Sequence, residues 1–131
     1  MTTLSIVPVS AADSEHVNSV RVNDGQRVVD IGVLSCSTAR ELIEAFIDHA
    51  QSGERRIVLA SDGKTLFEIR LTRLRSNLRR IRVSKQDELG DVRVTSGKVV
   101  MKADVEPEAL YEAATTGLDQ YRAIVGDSNC G

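Results

Sequence analysis

Aromatic residues are scarce in this sequence of 131 residues, which has two phenylalanines, two tyrosines and no tryptophan. Sheet surfaces that bind single-stranded nucleic acid by stacking expose several aromatic side chains to the bases. The apolar spacing around Phe46, Phe67 and Tyr121 predicts that these three rings lie in the core. The composition therefore leaves few rings for a stacking surface.

Cysteine and histidine are equally sparse, with two of each in the whole chain. Cys36 and Cys130 form neither a disulfide framework nor a metal-ligand pattern. We predict no catalytic residue, no metal site and no cofactor, because none of the common catalytic or phosphate-binding motifs is present. Cys36 precedes a predicted helix, where a thiol can become reactive, so a thiol-dependent enzyme remains a third hypothesis. Its simpler interpretation is a small, partly buried side chain.

Long apolar runs are missing too, since no segment approaches the roughly 18 residues that a membrane-spanning helix needs. The first fifteen residues lack the basic and apolar regions of a secretory signal. We therefore expect a soluble, cytoplasmic protein. Its length predicts a single α+β domain over residues 1–131, with 127–131 as a flexible tail.

Local patterns predict an α+β fold with the element order βββαβββββα. Apolar residues at helical spacing predict helices over about 38–52 and 107–125. Thr38 and Glu41 fit a capping box at the start of the first helix, whereas Asp48 and His49 are expected on its solvated side. Pairs such as Asp24-Gly25 between β-branched runs predict hairpins. We expect one largely antiparallel sheet of about seven to eight strands, with both helices on one face.

That order of elements resembles the architecture of small bacterial immunity and accessory proteins. The similarity is one of architecture and includes no shared motif, and architecture alone does not fix function. The expectation of a non-enzymatic binding protein therefore comes from the absence of catalytic motifs and from the charge pattern, and the resemblance adds no function to it.

Charge is distributed unevenly along the chain, although its formal net charge is only −2. Residues 69–85 contain seven basic residues and no acidic one. Strand alternation predicts that Arg70, Arg80, Arg82 and Arg93 share a solvated sheet face, with further basic residues near the connecting turn. The predicted partner-binding set is Arg70, Arg73, Arg75, Arg79, Arg80, Arg82, Lys85 and Arg93.

Three interpretations of this basic segment remain open. The leading one is an inhibitor, immunity or adaptor-type subunit that docks an acidic protein surface through the arginine-bearing strands. The alternative is a nucleic-acid-binding accessory domain that uses the same face. The third is a solvated surface whose arginines pair with nearby acids such as Glu68 and Asp91. Formation of a homodimer is compatible with each of them.

Overall fold

A computed structural model of the protein describes residues 4–10, 17–32, 35–61, 65–87 and 98–125. These residues form seven strands and two helices in two antiparallel sheets. The strands are β1 (Ser5–Ser10), β2 (Val17–Asn23), β3 (Val28–Gly32), β4 (Arg56–Ser61), β5 (Thr65–Arg73), β6 (Arg79–Asp87) and β7 (Lys98–Val105). The helices are α1 (Cys36–Ser52), between β3 and β4, and α2 (Pro107–Val125), which follows β7.

The smaller sheet has the strand order β1-β2-β3. Its second hairpin turns at Asp24, whose Oδ1 accepts hydrogen bonds from the backbone N–H groups of Gln26 (2.8 Å) and Arg27 (2.6 Å). Gly25 follows with a φ of 94°, a conformation that glycine adopts without strain. The Asp-Gly pair therefore turns the chain here, as its sequence predicts.

Capping residues define both ends of helix α1. Ser35 is the N-cap, and its side chain accepts a hydrogen bond from the N–H of Thr38. Gly53 ends the helix with a φ of 71° and donates its N–H to the carbonyl of His49. The helix thus starts two residues earlier than predicted, and Ser35 replaces Thr38 as its cap.

The larger sheet has the order β4-β5-β6-β7, with every pair antiparallel. Asn77, with a φ of 69°, helps to turn the chain between β5 and β6. Its N–H donates to the carbonyl of Leu74 at 2.9 Å. These two strands pair in an unbroken register from Thr65 opposite Asp87 to Arg73 opposite Arg79.

A single apolar core joins both sheets and both helices. From α1 it includes Leu42 and Phe46, and from α2 it includes Leu110 and Tyr121. Helix α2 approaches β1 so closely at Gly117 that an added Cβ would lie 2.5 Å from the carbonyl oxygen of Ile6. The inner face of each sheet is therefore buried, which leaves the outer faces for contact with solvent or a partner.

The sequence predicted one sheet of seven to eight strands, and the structure has two sheets of three and four strands. The α+β class and the order of the described elements agree with the prediction, and α2 has its predicted bounds. The sheet divides where α1 interrupts the succession of hairpins, because a long connection does not force its flanking strands to pair. The predicted order has eight strands, and the strand that would carry Arg93 lies outside the described residues, as does the predicted tail at 127–131.

His49 differs from its prediction as a solvated residue, since its side chain is buried. It lies three residues after Phe46 and so falls on the edge of the buried stripe of α1. Its ring Nδ1–H donates to the carbonyl of Glu54 at 2.7 Å. Asp48 is exposed as predicted and pairs with Arg56 at 2.8 Å.

Candidate functional site

The outer face of the larger sheet carries three of the predicted arginines. Side chains alternate along β5 and β6, so Ile69, Leu71, Ile81 and Val83 are buried on the inner face. Arg70, Arg80 and Arg82 occupy the alternate positions and project from the outer face. The grouping predicted from alternation is therefore present for these three residues.

Arg70, Arg82 and Lys102 form a cationic row across three strands. Arg70 lies directly opposite Arg82 on β6, and Arg82 lies directly opposite Lys102 on β7. Neighbouring strands are about 4.8 Å apart, so this row spans about 10 Å. Like charges placed directly opposite each other destabilise a sheet. The cationic row therefore works against folding unless something else compensates it.

Compensation by internal carboxylates is only partial on this face. Arg70 pairs with Glu68 on its own strand. Arg80 binds Asp104 through two hydrogen bonds of 2.8 and 3.0 Å. Within the described ranges, Arg82 and Lys102 have no ion pair with an acidic side chain. Four cations thus face two carboxylates, and the excess charge is on the Arg82 and Lys102 side of the row.

The paired carboxylate responds to this surrounding positive charge. Hydrogen bonds from Arg80 lower the pKa of Asp104, and the charges of Arg80 and Lys102 act in the same direction. Partial burial opposes the shift by disfavouring the ionised form. Asp104 therefore remains an anion at neutral pH and holds Arg80 close to the sheet.

Two exposed apolar side chains adjoin the cationic row on strand β4. Ile57 is 46% exposed and lies opposite Arg70, and Leu59 is 59% exposed and lies opposite Glu68. Both project from the outer face because the alternate residue Ala60 is buried. Exposed apolar groups that adjoin cations are typical of protein interfaces, whose centre is apolar and whose rim is polar.

Aromatic side chains are absent from this face among the described residues. Phe46, Phe67 and Tyr121 are buried, which confirms their predicted place in the core. Tyr111 is exposed, but it belongs to α2. The outer face therefore offers charge and aliphatic surface, with no described ring on which a base could stack.

The other predicted partner-binding residues lie elsewhere. Arg79 is only 4% exposed and binds the backbone at the end of α1. Arg73 and Lys85 are exposed, but their positions on the strands belong to the inner face of the sheet. Arg73 pairs with Arg79, and Lys85 pairs with buried Phe67. Arg75 is exposed in the turn between β5 and β6, and Arg93 lies outside the described residues.

The partner-binding set predicted from the sequence does not include Lys102, Ile57 or Leu59. Lys102 stands between buried Met101 and Ala103, so alternation alone could have placed it on an outer face. Its position opposite Arg82 depends on the register of β6 with β7, which shifts between Val83 and Ser84. No local sequence signal defines that register.

Within the described part of the chain, no group of three or more histidine, cysteine or acidic side chains is placed to hold a metal ion. Among the residues searched, neither helix is both long and apolar enough to cross a membrane. Comparison of the chain with protein-family models, curated proteins and solved structures gives no match.

Proposed function

We propose that this protein is a non-enzymatic binding protein, an inhibitor, immunity or adaptor-type subunit, that docks an acidic protein surface through the outer face of β4–β7. The cationic row of Arg70, Arg82 and Lys102 is the observation that carries this proposal. A partner with carboxylates at matching positions would neutralise the row. Binding would thereby remove a repulsion that the isolated fold leaves in place.

The adjoining apolar side chains favour a protein partner over nucleic acid. Ile57 and Leu59 extend the face on β4, where a phosphate backbone would gain nothing from contact. Apolar contact contributes affinity to a protein interface, whereas exposed charges mainly contribute specificity and association rate. The two features together fit a partner that presents carboxylates beside an apolar side chain.

A charge-reversal experiment tests this assignment. The test variant is Arg82→Glu/Lys102→Glu, and the matched control is Arg27→Glu/Arg122→Glu, which changes the net charge equally at exposed positions outside this sheet. Each protein is immobilised and exposed to lysate of the source cells, once with and once without nuclease treatment. We expect the wild-type protein and the control to capture the same acidic protein and the test variant to lose it.

Two results would count against the proposal. If the test variant still captures the acidic protein, the cationic row lies outside the interface. Capture that disappears after nuclease treatment would instead favour the nucleic-acid alternative. A steep linear fall of log affinity with log salt would support that alternative further, because phosphate contacts release counterions.

A further inference from the structure

The spacing of the outer-face residues indicates the shape of the partner segment, if the proposed function is correct. Ile57, Arg70, Arg82 and Lys102 occupy laterally successive positions on β4, β5, β6 and β7. They define a line roughly perpendicular to the strands, with an apolar end at Ile57 and a cationic end at Lys102. At about 4.8 Å per strand, the line is about 14 Å long.

We infer that this line binds an acidic amphipathic α-helix that lies across the strands. Residues separated by three or four positions on one helix face are about 4.5–6 Å apart along the axis, since each residue rises 1.5 Å. This interval matches the spacing of the strands. A helix with an apolar residue at position i and carboxylates at i+4, i+7 and i+11 places one side chain above each of the four strands.

An extended partner segment fits the same line less well. Side chains on one face of a strand recur about every 6.6 Å, so three successive carboxylates would span about 13 Å. The cationic row spans only about 10 Å, whereas seven residues of helix rise about 10.5 Å. The spacing therefore favours a helix over a strand as the carrier of the carboxylates.

The composition of the line also determines which end of the partner helix contacts β4. Ile57 and neighbouring Leu59 form an apolar contact at the β4 end, where Glu68, which lies opposite Leu59, is paired with Arg70. Arg82 and Lys102, which form no ion pair with a described carboxylate, place positive charge toward β7. The apolar anchor of the helix therefore contacts β4, and its carboxylates contact β5, β6 and β7 in turn. A second copy of this face would oppose cations to cations, so it fits less well.

Two synthetic helical peptides test the inference with the intact protein. The aligned peptide has Leu at i and Glu at i+4, i+7 and i+11. The control peptide has the same composition, with its three glutamates on the opposite face. The same side-chain staple holds both peptides helical, and circular dichroism verifies equal helicity. Fluorescence anisotropy then measures binding of each labelled peptide near physiological salt.

We expect the aligned peptide to bind at least about tenfold more tightly than the control peptide. Arg82→Ala/Lys102→Ala should abolish this preference, and Ile57→Ser should weaken binding of the aligned peptide. Val28→Ser is the matched control, because Val28 is an exposed apolar residue on the smaller sheet. That substitution should leave the affinity of both peptides unchanged.

The possible failures of the inference and of the proposed function are distinguishable. If both peptides bind equally and Arg82→Ala/Lys102→Ala abolishes that binding, the helical partner is overturned and the acidic-surface proposal stays intact. Binding that Arg82→Ala/Lys102→Ala does not change would overturn both. Failure of both peptides to bind up to about 1 mM would overturn the helical partner, because four aligned contacts should exceed that affinity.

Discussion

Two arginines on one strand should respond differently to the same substitution. Arg79 and Arg82 both belong to β6, but Arg79 is 4% exposed and Arg82 is exposed on the outer face. Replacement of each by methionine keeps a long flexible side chain and removes the guanidinium. We expect Arg79→Met to destabilise the fold and Arg82→Met to leave its stability equal or slightly higher.

The hydrogen bonds of Arg79 set the size of the expected loss. Its guanidinium donates to the carbonyls of His49 (3.2 Å), Ala50 (3.3 Å) and Asn77 (2.8 Å). Two of these carbonyls are in the last turn of α1, where a cation also interacts favourably with the helix dipole. Hydrogen bonds to charged groups contribute about 1.5–3 kcal/mol each, but methionine recovers part of this through apolar burial. The net cost should be about 2–4 kcal/mol.

Urea denaturation of the wild-type protein and both variants, followed by circular dichroism, measures the two free energies of unfolding. Arg79→Lys is a third variant, and it should fall between wild type and methionine because lysine has no planar fork of donors. Equal losses for Arg79→Met and Arg82→Met would refute the assignment of one arginine to structure and the other to a surface. A loss under about 0.5 kcal/mol for Arg79→Met would also refute it.

Three further substitutions test the core, the helix contact and the outer-face ion pair. Phe46→Ala should cost about 3–5 kcal/mol in chemical denaturation, because Phe46 is fully buried in the shared core. Gly117→Ala should lower the melting temperature despite the higher helix propensity of alanine, because the new Cβ would clash with the Ile6 carbonyl. Asp104→Asn should cost under about 1 kcal/mol at pH 7, since the pair is one-third exposed. The pKa of Asp104 is lowered by folding, so this difference should disappear as the pH falls through that pKa, which paired denaturation curves would show.

Local chemistry predicted the Asp24-Gly25 turn and the bounds of α2 well, and it placed the start of α1 within two residues. The Asp24-Gly25 turn forms as predicted, because it depends on residues adjacent in sequence. The division into two sheets could not be predicted in the same way. Strands β3 and β4 are separated by α1, and no local pattern specifies whether they pair.

The candidate site was predictable only along single strands. Alternation placed Arg70 and Arg82 on one face, but the same segment also contains Arg79, whose burial depends on contact with the end of α1. Alternation therefore grouped Arg70 and Arg82 on one face, but the run of basic residues did not separate the structural arginine from the surface arginines. That separation requires the tertiary packing of β6 against α1.

Two neighbouring residue pairs across β6 and β7 show how much stability the cationic row removes from the fold. Arg80 faces Asp104 across β6 and β7, and two residues along the same strands Arg82 faces Lys102. A carboxylate at position 102 would repeat the favourable pair that the protein already makes, so the geometry itself does not require a lysine there. Lys102→Glu should therefore raise the free energy of unfolding by up to about 1 kcal/mol through a new pair with Arg82. The same substitution should abolish binding of the acidic partner, because it neutralises the end of the cationic row. Urea denaturation and the capture assay together measure both effects, and a variant that loses stability or retains the partner would contradict this account of Lys102.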